Sequence, residues 1–179
     1  MLLITSGISG SGKSTLRKKL EDHFKGDMAS VEPDDIRRKM WGSVNEQKDG
    51  HLVFKQAEKT AKKLLDEYPI VFFDATNTNW KRLKLLSSNI TDNVLFIFMN
   101  DSFDEELCWN RVKSDIDAGT DRSDVPREVI QRQAAAFEQC FAVADPAYPG
   151  AFLYDPDSSD GGFESLIRTI EEKLNEVSL

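Results

Sequence analysis

Thiol and imidazole groups are scarce in this chain, which has two cysteines and two histidines among its 179 residues. Cys108 and Cys140 each fall inside an apolar helical pattern, which reads as reduced thiols used for packing and not as a disulfide or a metal site. His23 and His51 have no cysteine near them in sequence to complete a zinc centre, and both read as surface or helix-end residues. Long apolar runs are missing too. No stretch approaches the roughly 18 apolar residues of a membrane helix. The opening MLLITSG has no basic segment before its apolar residues and runs directly into a glycine-rich loop, so it is expected to be a buried strand and not a signal peptide. The expectation is no membrane association and a cytoplasmic location, in a host cytoplasm if the chain is phage-encoded. Positive charge is also in deficit: 23 basic against 31 acidic residues give a net charge of −8. That excludes a broad electrostatic footprint on nucleic acid and leaves room for a small, local basic cleft.

What the chain does have is the balance of a soluble globular domain, 40% hydrophobic and 30% charged residues. Its length suits one domain over residues 1–179, burying roughly 70% of the unfolded surface without staples. Short apolar runs at 2–5 (LLIT), 28–32, 69–77 (PIVFFDATN), 93–99 (NVLFIFM) and 151–155 read as strands. Helical periodicity fills the intervals: from Ser14 with Leu16, Leu20 and Phe24 on one face and Gly26 as a stop, over 51–68, from near Asn79, over 102–116 with Asp101 or Ser102 as cap, over 125–142 with Pro126 in its first turn, and over 163–174. Strands alternating with helices predict βαβ connections and a mainly parallel sheet. The polar stretches 117–124 and 155–162 read as surface loops.

Residues 7–15, GISGSGKST, follow the first strand and open the first helix, and they fit G-x-x-x-x-G-K-[ST] through Gly7, Gly12, Lys13 and Ser14. Glycines let consecutive backbone N–H groups turn onto an anion, and the helix that follows presents its positive end. The nucleotide-binding set is therefore Gly7, Ser9, Gly10, Ser11, Gly12, Lys13, Ser14 and Thr15. Lys13 would reach the β- and γ-phosphates of ATP, Ser14 would ligate Mg²⁺, and Thr15 would add a phosphate donor. The rest of the chain narrows the class. A switch GTPase needs an N-K-x-D segment, which is absent, and the large motor ATPases need a longer chain. A compact kinase needs an acceptor site, a carboxylate and a mobile arginine.

Candidates for those parts are at hand. EPDDIRR (32–38) follows the second strand, and a helix beginning after Pro33 would put Asp34 and Arg37 on one face at i, i+3. One carboxylate could then accept a proton from a hydroxyl while one guanidinium holds a phosphate. A helix start decorated with two surface ion pairs explains the same spacing equally well. Asp74 ends a buried apolar run, where a carboxylate needs a partner or a metal, or caps the turn after it. Arg122 is the basic residue in GTDRSD (119–124), a loop between two helices that suits an arginine which must arrive and leave. Arg111, on the preceding helix, is a second candidate that can instead pair with Asp115 at i, i+4. Arg37, Arg38 and Lys39 form one basic cluster, and Lys81 and Arg82 form another after the D-A-T-N segment; the two converge if both segments end neighbouring strands.

Three separated segments, GISGSGKST (7–15), PDDIRR (33–38) and VFFDATNTNWKR (71–82), make the chain resemble the 5′-hydroxyl polynucleotide kinases of phages and bacteria, within the broader P-loop kinases. A fourth, TDRSDVPREVI (120–130), is similar to the lid of the bacterial members. The resemblance spans most of a kinase domain and includes no segment like the phosphatase and ligase domains that often accompany it; two departures are an isoleucine–serine pair where many relatives carry a proline in the loop, and a longer lid loop. It implies an α/β fold of the adenylate-kinase-like type, with five parallel strands between helices and a helical lid near 111–130. It implies transfer of the γ-phosphoryl of ATP, with Mg²⁺, to the 5′-OH end of a DNA or RNA strand. It further implies Asp34 as general base, Arg37 on an acceptor phosphate, Thr76 and Asn77 positioning the acceptor strand, Arg122 on the donor phosphates, and Asp74 near Mg²⁺ beside Ser14. The catalytic set is then Lys13, Asp34, Arg37 and Arg122. A kinase of a small acceptor, such as a nucleoside, a nucleotide or another metabolite, and a nucleotide-binding module without transferase activity are the alternatives.

Overall fold

The computed structural model describes residues 1–44, 49–120, 123–144 and 150–176. In chain order the elements are β1 (Leu2–Ser6), α1 (Lys13–His23), β2 (Met28–Val31), α2 (Pro33–Trp41), α3 (Gly50–Leu65), β3 (Ile70–Phe73), α4 (Trp80–Ile90), β4 (Val94–Met99), a 3₁₀ turn (Asn100–Phe103), α5 (Glu105–Asp117), α6 (Arg127–Ala144), β5 (Ala151–Tyr154) and α7 (Phe163–Glu176).

The five strands form one sheet in the order β2-β3-β1-β4-β5, and every pairing is parallel. The apolar runs explain why. LLITS, IVFF and VLFIFM are buried along their whole length, as strands covered on both faces must be. Alternate residues point to opposite faces. Leu2, Ile4, Val71, Phe73, Phe96 and Phe98 share a core with Ala57 and Ala61 of α3, Leu83 of α4, Val112 of α5 and Ile130 and Phe137 of α6. Leu3, Phe72, Leu95 and Ile97 face the other way, onto Leu16 and Leu20 of α1 and Leu166, Ile167 and Ile170 of α7. The result is a three-layer α/β sandwich with seven α-helices among the described residues.

β1 lies at the centre, and the chain leaves it first toward β2 and β3 and then toward β4 and β5. This is the point in an open α/β sheet where a crevice opens beyond the carboxyl ends of the strands. The segments that follow β1, β2, β3 and β4 all emerge at that edge.

Several boundaries differ from the sequence reading. The helix expected over 102–116 is two elements: the 3₁₀ turn Asn100–Phe103, then α5, capped by the Asp104 side chain accepting from the Leu107 N–H at 2.9 Å. A tight turn at 100–103 places Ser102 fully inside, which removes it as a cap. Gly26 does not end α1; the helix stops at His23 and Phe24 caps it, while Gly26 serves the following turn at φ 87°. The helix over 51–68 runs Gly50–Leu65, and that over 125–142 runs Arg127–Ala144. Cys108 and Cys140 are both buried, and desolvation raises each thiol pKa to about 11. No helix among the described residues is long and apolar enough to cross a membrane.

Candidate active site

The loop between β1 and α1 owes its shape to two glycines. Gly10 has φ +86°, and a Cβ there would stand 2.2 Å from the Cys108 carbonyl oxygen. Gly12, at φ +88°, caps α1 in the left-handed conformation and lets Lys13 begin the helix. Side chains from distant elements brace the loop: the Ile8 N–H donates to Ser102 Oγ (3.2 Å) and the Ser9 N–H to Gln133 Oε1 of α6 (2.9 Å). The Lys13 ammonium, buried, donates to the carbonyls of Gly7 (3.1 Å) and Ile8 (2.7 Å). These carbonyls hold the lysine folded over the loop, within the space a phosphate chain would occupy. Ser11 is buried and its Oγ has no hydrogen-bond partner among the described residues.

Asp74 follows β3 directly and accepts from Ser14 Oγ at 3.0 Å through Oδ2. The same oxygen lies 3.6 Å from Arg17 Nε. Arg17, on α1 one turn beyond Lys13, also reaches Glu32 (3.3 Å) and Glu21 (2.9 Å). Burial works against the Arg17 charge, but the hydrogen bond to Glu21 and the charges of Glu32, Glu21 and Asp74 outweigh it and raise its pKa. Burial pushes the Glu32 pKa up; Arg17 opposes the shift, and Asp35, Asp74 and Glu21 add to it. Arg17 and Glu32 were not singled out in the sequence. The signal available was weak: an arginine three residues after Ser14 faces the same side of the helix as the serine.

The segment after β2 turns into α2 with Pro33 at its first position, as the spacing predicts. Asp34 pairs with Arg37, and Asp35 pairs with Arg38. Both ion pairs of the bland reading are therefore present, yet Asp34 and Arg37 also line the cleft above the phosphate loop. Their surroundings differ. The Asp34 side chain is 52% exposed, whereas the Arg37 side chain is 14% exposed, with a buried Nε that has no partner among the described residues.

One cleft of about 1490 Å³ brings together Ser9 to Thr15 of the loop, Asp34, Arg37, Asp74, Thr76 and Arg111. Gly7 is not among its lining residues; it packs beneath, where a Cβ would meet Ser11 Oγ at 2.6 Å. Asn77 lines not this cleft but the smaller cavity between α3 and α4. Its side-chain amide donates to the carbonyls of Thr5 (3.0 Å) and Ala75 (3.3 Å), and its backbone carbonyl accepts from Ser6 Oγ, so it ties β1 to the segment after β3. Arg111 does not take the alternative helical pairing with Asp115: it donates to Asp101 (2.6 Å) and to the Gly10 carbonyl (3.3 Å), beside the loop. Arg122 lies outside the described residues. Its neighbours Thr120, Ser123 and Asp124 line the cleft. Of the two basic clusters, Arg37 and Arg38 reach this cleft, while Arg82 faces a separate cavity.

A phosphate-binding loop on the central strand, a hydroxyl–carboxylate pair beside it and a second charged helix over the same cleft define the P-loop kinase class of fold. Residues 2–140 match the AAA domain family, and the chain belongs to that family. Solved structures of similar fold include a chain of the Pnkp1/Rnl/Hen1 RNA repair complex (TM-score 0.68, 22% identity, 80% of this chain and 46% of that one). A putative kinase from Chloroflexus aurantiacus is similar over nearly its whole length (TM-score 0.64, 15% identity, 96% and 97% covered). A gluconokinase from Sinorhizobium meliloti is similar at TM-score 0.58 and 16% identity, with 98% and 91% covered. The chain thus spans under half of the repair-complex chain that it matches. No curated protein matches the sequence.

Proposed function

We propose that the protein is an ATP-dependent kinase that phosphorylates the 5′-hydroxyl end of a polynucleotide. The observation that carries this reading is the placing of Asp34 and Arg37 on α2, over the same cleft as the phosphate loop. The loop N–H groups, with the positive end of α1, bind the β- and γ-phosphates of ATP, and Lys13 leaves its carbonyl partners to balance their charge. Ser14 and Asp74 offer a hydroxyl and a carboxylate oxygen 3.0 Å apart, a hard-oxygen pair that fits Mg²⁺. When bound there, Mg²⁺ neutralises charge on the β- and γ-phosphates. Arg37, with its buried and unpartnered Nε, receives the first phosphate of the acceptor strand, and Thr76 orients that strand. Asp34 takes the proton of the 5′-OH as that oxygen bonds to the γ-phosphorus and the bond to the β–γ bridging oxygen breaks, leaving ADP. An arginine of the 111–130 region, Arg122 or else Arg111, balances charge on the transferring group.

The likeness in fold to a chain of an RNA repair complex supports this acceptor. A second reading has its own support. The gluconokinase and a deoxyadenosine kinase from M. mycoides match this chain over almost their full lengths, and a net charge of −8 suits a small acceptor.

An acceptor panel with labelled ATP separates the readings. We expect 5′-OH oligonucleotides and nucleoside 3′-phosphates to be phosphorylated better than nucleosides or 5′-monophosphates; the reverse order overturns the polynucleotide reading. Asp34→Asn should lower kcat roughly 10²- to 10⁴-fold with little change in ATP affinity. Loss of ATP binding with turnover intact would move the base to Asp35. Absence of transfer to any acceptor would leave a nucleotide-binding module.

A further inference from the structure

A second cavity, of about 400 Å³, lies between α3 and α4 and shares Phe54 and Thr76 with the main cleft. Its walls are two matched helix faces, with Thr76, Asn77, Thr78 and Asn79 of the segment before α4 between them. His51, Phe54, Lys55 and Glu58 project from α3 at i, i+3, i+4 and i+7, and Arg82, Leu85, Leu86 and Asn89 repeat the spacing on α4. Core packing accounts for the inner members of these faces, such as Leu86, but not for the rest. Leu85 is 61% exposed, and His51, Lys55 and Arg82 are exposed as well. Among the described residues, neither the Lys55 ammonium nor the Arg82 guanidinium has a carboxylate within 4.0 Å. The one carboxylate of the groove, Glu58, accepts from the Asn89 amide at 3.4 Å. In a chain with net charge −8, this groove carries two cations, one on each helix wall, against a single carboxylate among its described lining residues.

We propose that this groove holds the second and third nucleotides of a single-stranded acceptor whose 5′ end lies at Asp34. The proposal rests on the polynucleotide reading above and extends it along the strand. Single-stranded nucleic acid is held by cations tracking its backbone and by flat or apolar side chains against its bases. Lys55 and Arg82 supply the first, from opposite walls, and the exposed Leu85 and half-buried Phe54 the second. Thr76 and Phe54 sit at the junction with the main cleft, so a strand leaving Arg37 enters the groove without crossing another element. The groove is short, which matches an enzyme that needs a few phosphate contacts at a strand end and no broad basic face.

The test uses the whole chain and two acceptors, a nucleoside 3′-phosphate and a single-stranded 5′-OH decamer, each in DNA and RNA form. In the Lys55→Ala/Arg82→Ala protein the KM for the decamer should rise about tenfold at constant kcat, and the KM for the nucleoside 3′-phosphate should stay within about twofold. The log–log salt slope of decamer binding, followed by anisotropy of a 3′-labelled strand, should become shallower by about 1.4, from two contacts at about 0.7 each. Leu85→Asn, which leaves both charges in place, should weaken decamer binding without altering the slope. An unchanged decamer KM, or an equal rise for both acceptors, overturns the groove while leaving the polynucleotide reading intact. If the native protein phosphorylates neither acceptor, that reading fails, and anisotropy still judges the groove: decamer binding that is absent, or indifferent to the double substitution, overturns it.

Discussion

The two halves of the cleft are built differently. On the donor side, the loop at 7–13 is locked from below and from both flanks, by the Cys108 carbonyl under Gly10, by Ser102 and Gln133 on its amides, and by its own carbonyls on Lys13. On the side proposed to meet the acceptor, Asp34 and Arg37 stand on the first turns of a nine-residue helix whose one buried residue is Pro33. Their contact is with each other. A triphosphate presents the same geometry to every P-loop protein, so its cradle can be rigid before the ligand arrives. An acceptor varies from kinase to kinase, and the groups proposed to meet it stand on a helix that contributes little to the core, where change costs little stability.

The sharpest test of that contrast is Lys13→Ala. The ammonium is the buried cation nearest the loop, and its removal should abolish transfer whatever the acceptor, measured as single-turnover loss of label from ATP. Retention of most of the activity would remove the P-loop kinase reading together with the comparison.

Next come two glycines with left-handed backbones. At Gly10 a Cβ collides with the Cys108 carbonyl, so Gly10→Ala adds a backbone clash to the conformational strain and should cost about 3 kcal/mol or more. At Gly42, the cap of α2, nothing lies within 4 Å of a Cβ, so Gly42→Ala should cost only the intrinsic penalty of about 1–2 kcal/mol. Urea unfolding of both variants measures the ratio. Equal losses would mean that the donor loop is no more tightly held than the acceptor helix.

The smallest effect concerns reactivity. Burial holds the Cys108 thiol pKa at about 11, and its Sγ donates to the Asp101 carbonyl at 3.1 Å, beneath the donor loop. Below that pKa the thiolate fraction rises tenfold per pH unit. Maleimide labelling of the native protein at pH 7 should therefore be far slower than that of the urea-unfolded chain, and should accelerate toward pH 9 with no plateau. A plateau near pH 8 would mean that the floor of the donor half opens in the native state.

The donor half was legible because its requirements are local. Gly10, Gly12, Lys13 and Ser14 must be neighbours in sequence to wrap one anion, so the motif carried their positions, and the strand before it and helix after it followed from hydrophobic periodicity. The parallel sheet was equally readable, since largely apolar runs of four to six residues alternating with amphipathic helices have few other solutions. The Asp34–Arg37 spacing was visible as well, although not whether it served chemistry or a surface ion pair; the structure forms the ion pair and sets it on the lining of the cleft.

The sequence by itself determined the nucleotide loop, the α/β layering and the helical register of α2, because each depends on residues within a turn or a strand of one another. Tertiary structure alone decided that Arg17 would bridge Asp74 and Glu32, that Asn77 would bind backbone across β1, that Arg111 would lean on Asp101 and Gly10, and that α3 and α4 would leave a groove between Lys55 and Arg82. These partners lie from ten to a hundred residues apart in several cases, and their meeting depends on strand order and helix packing, which no local pattern encodes.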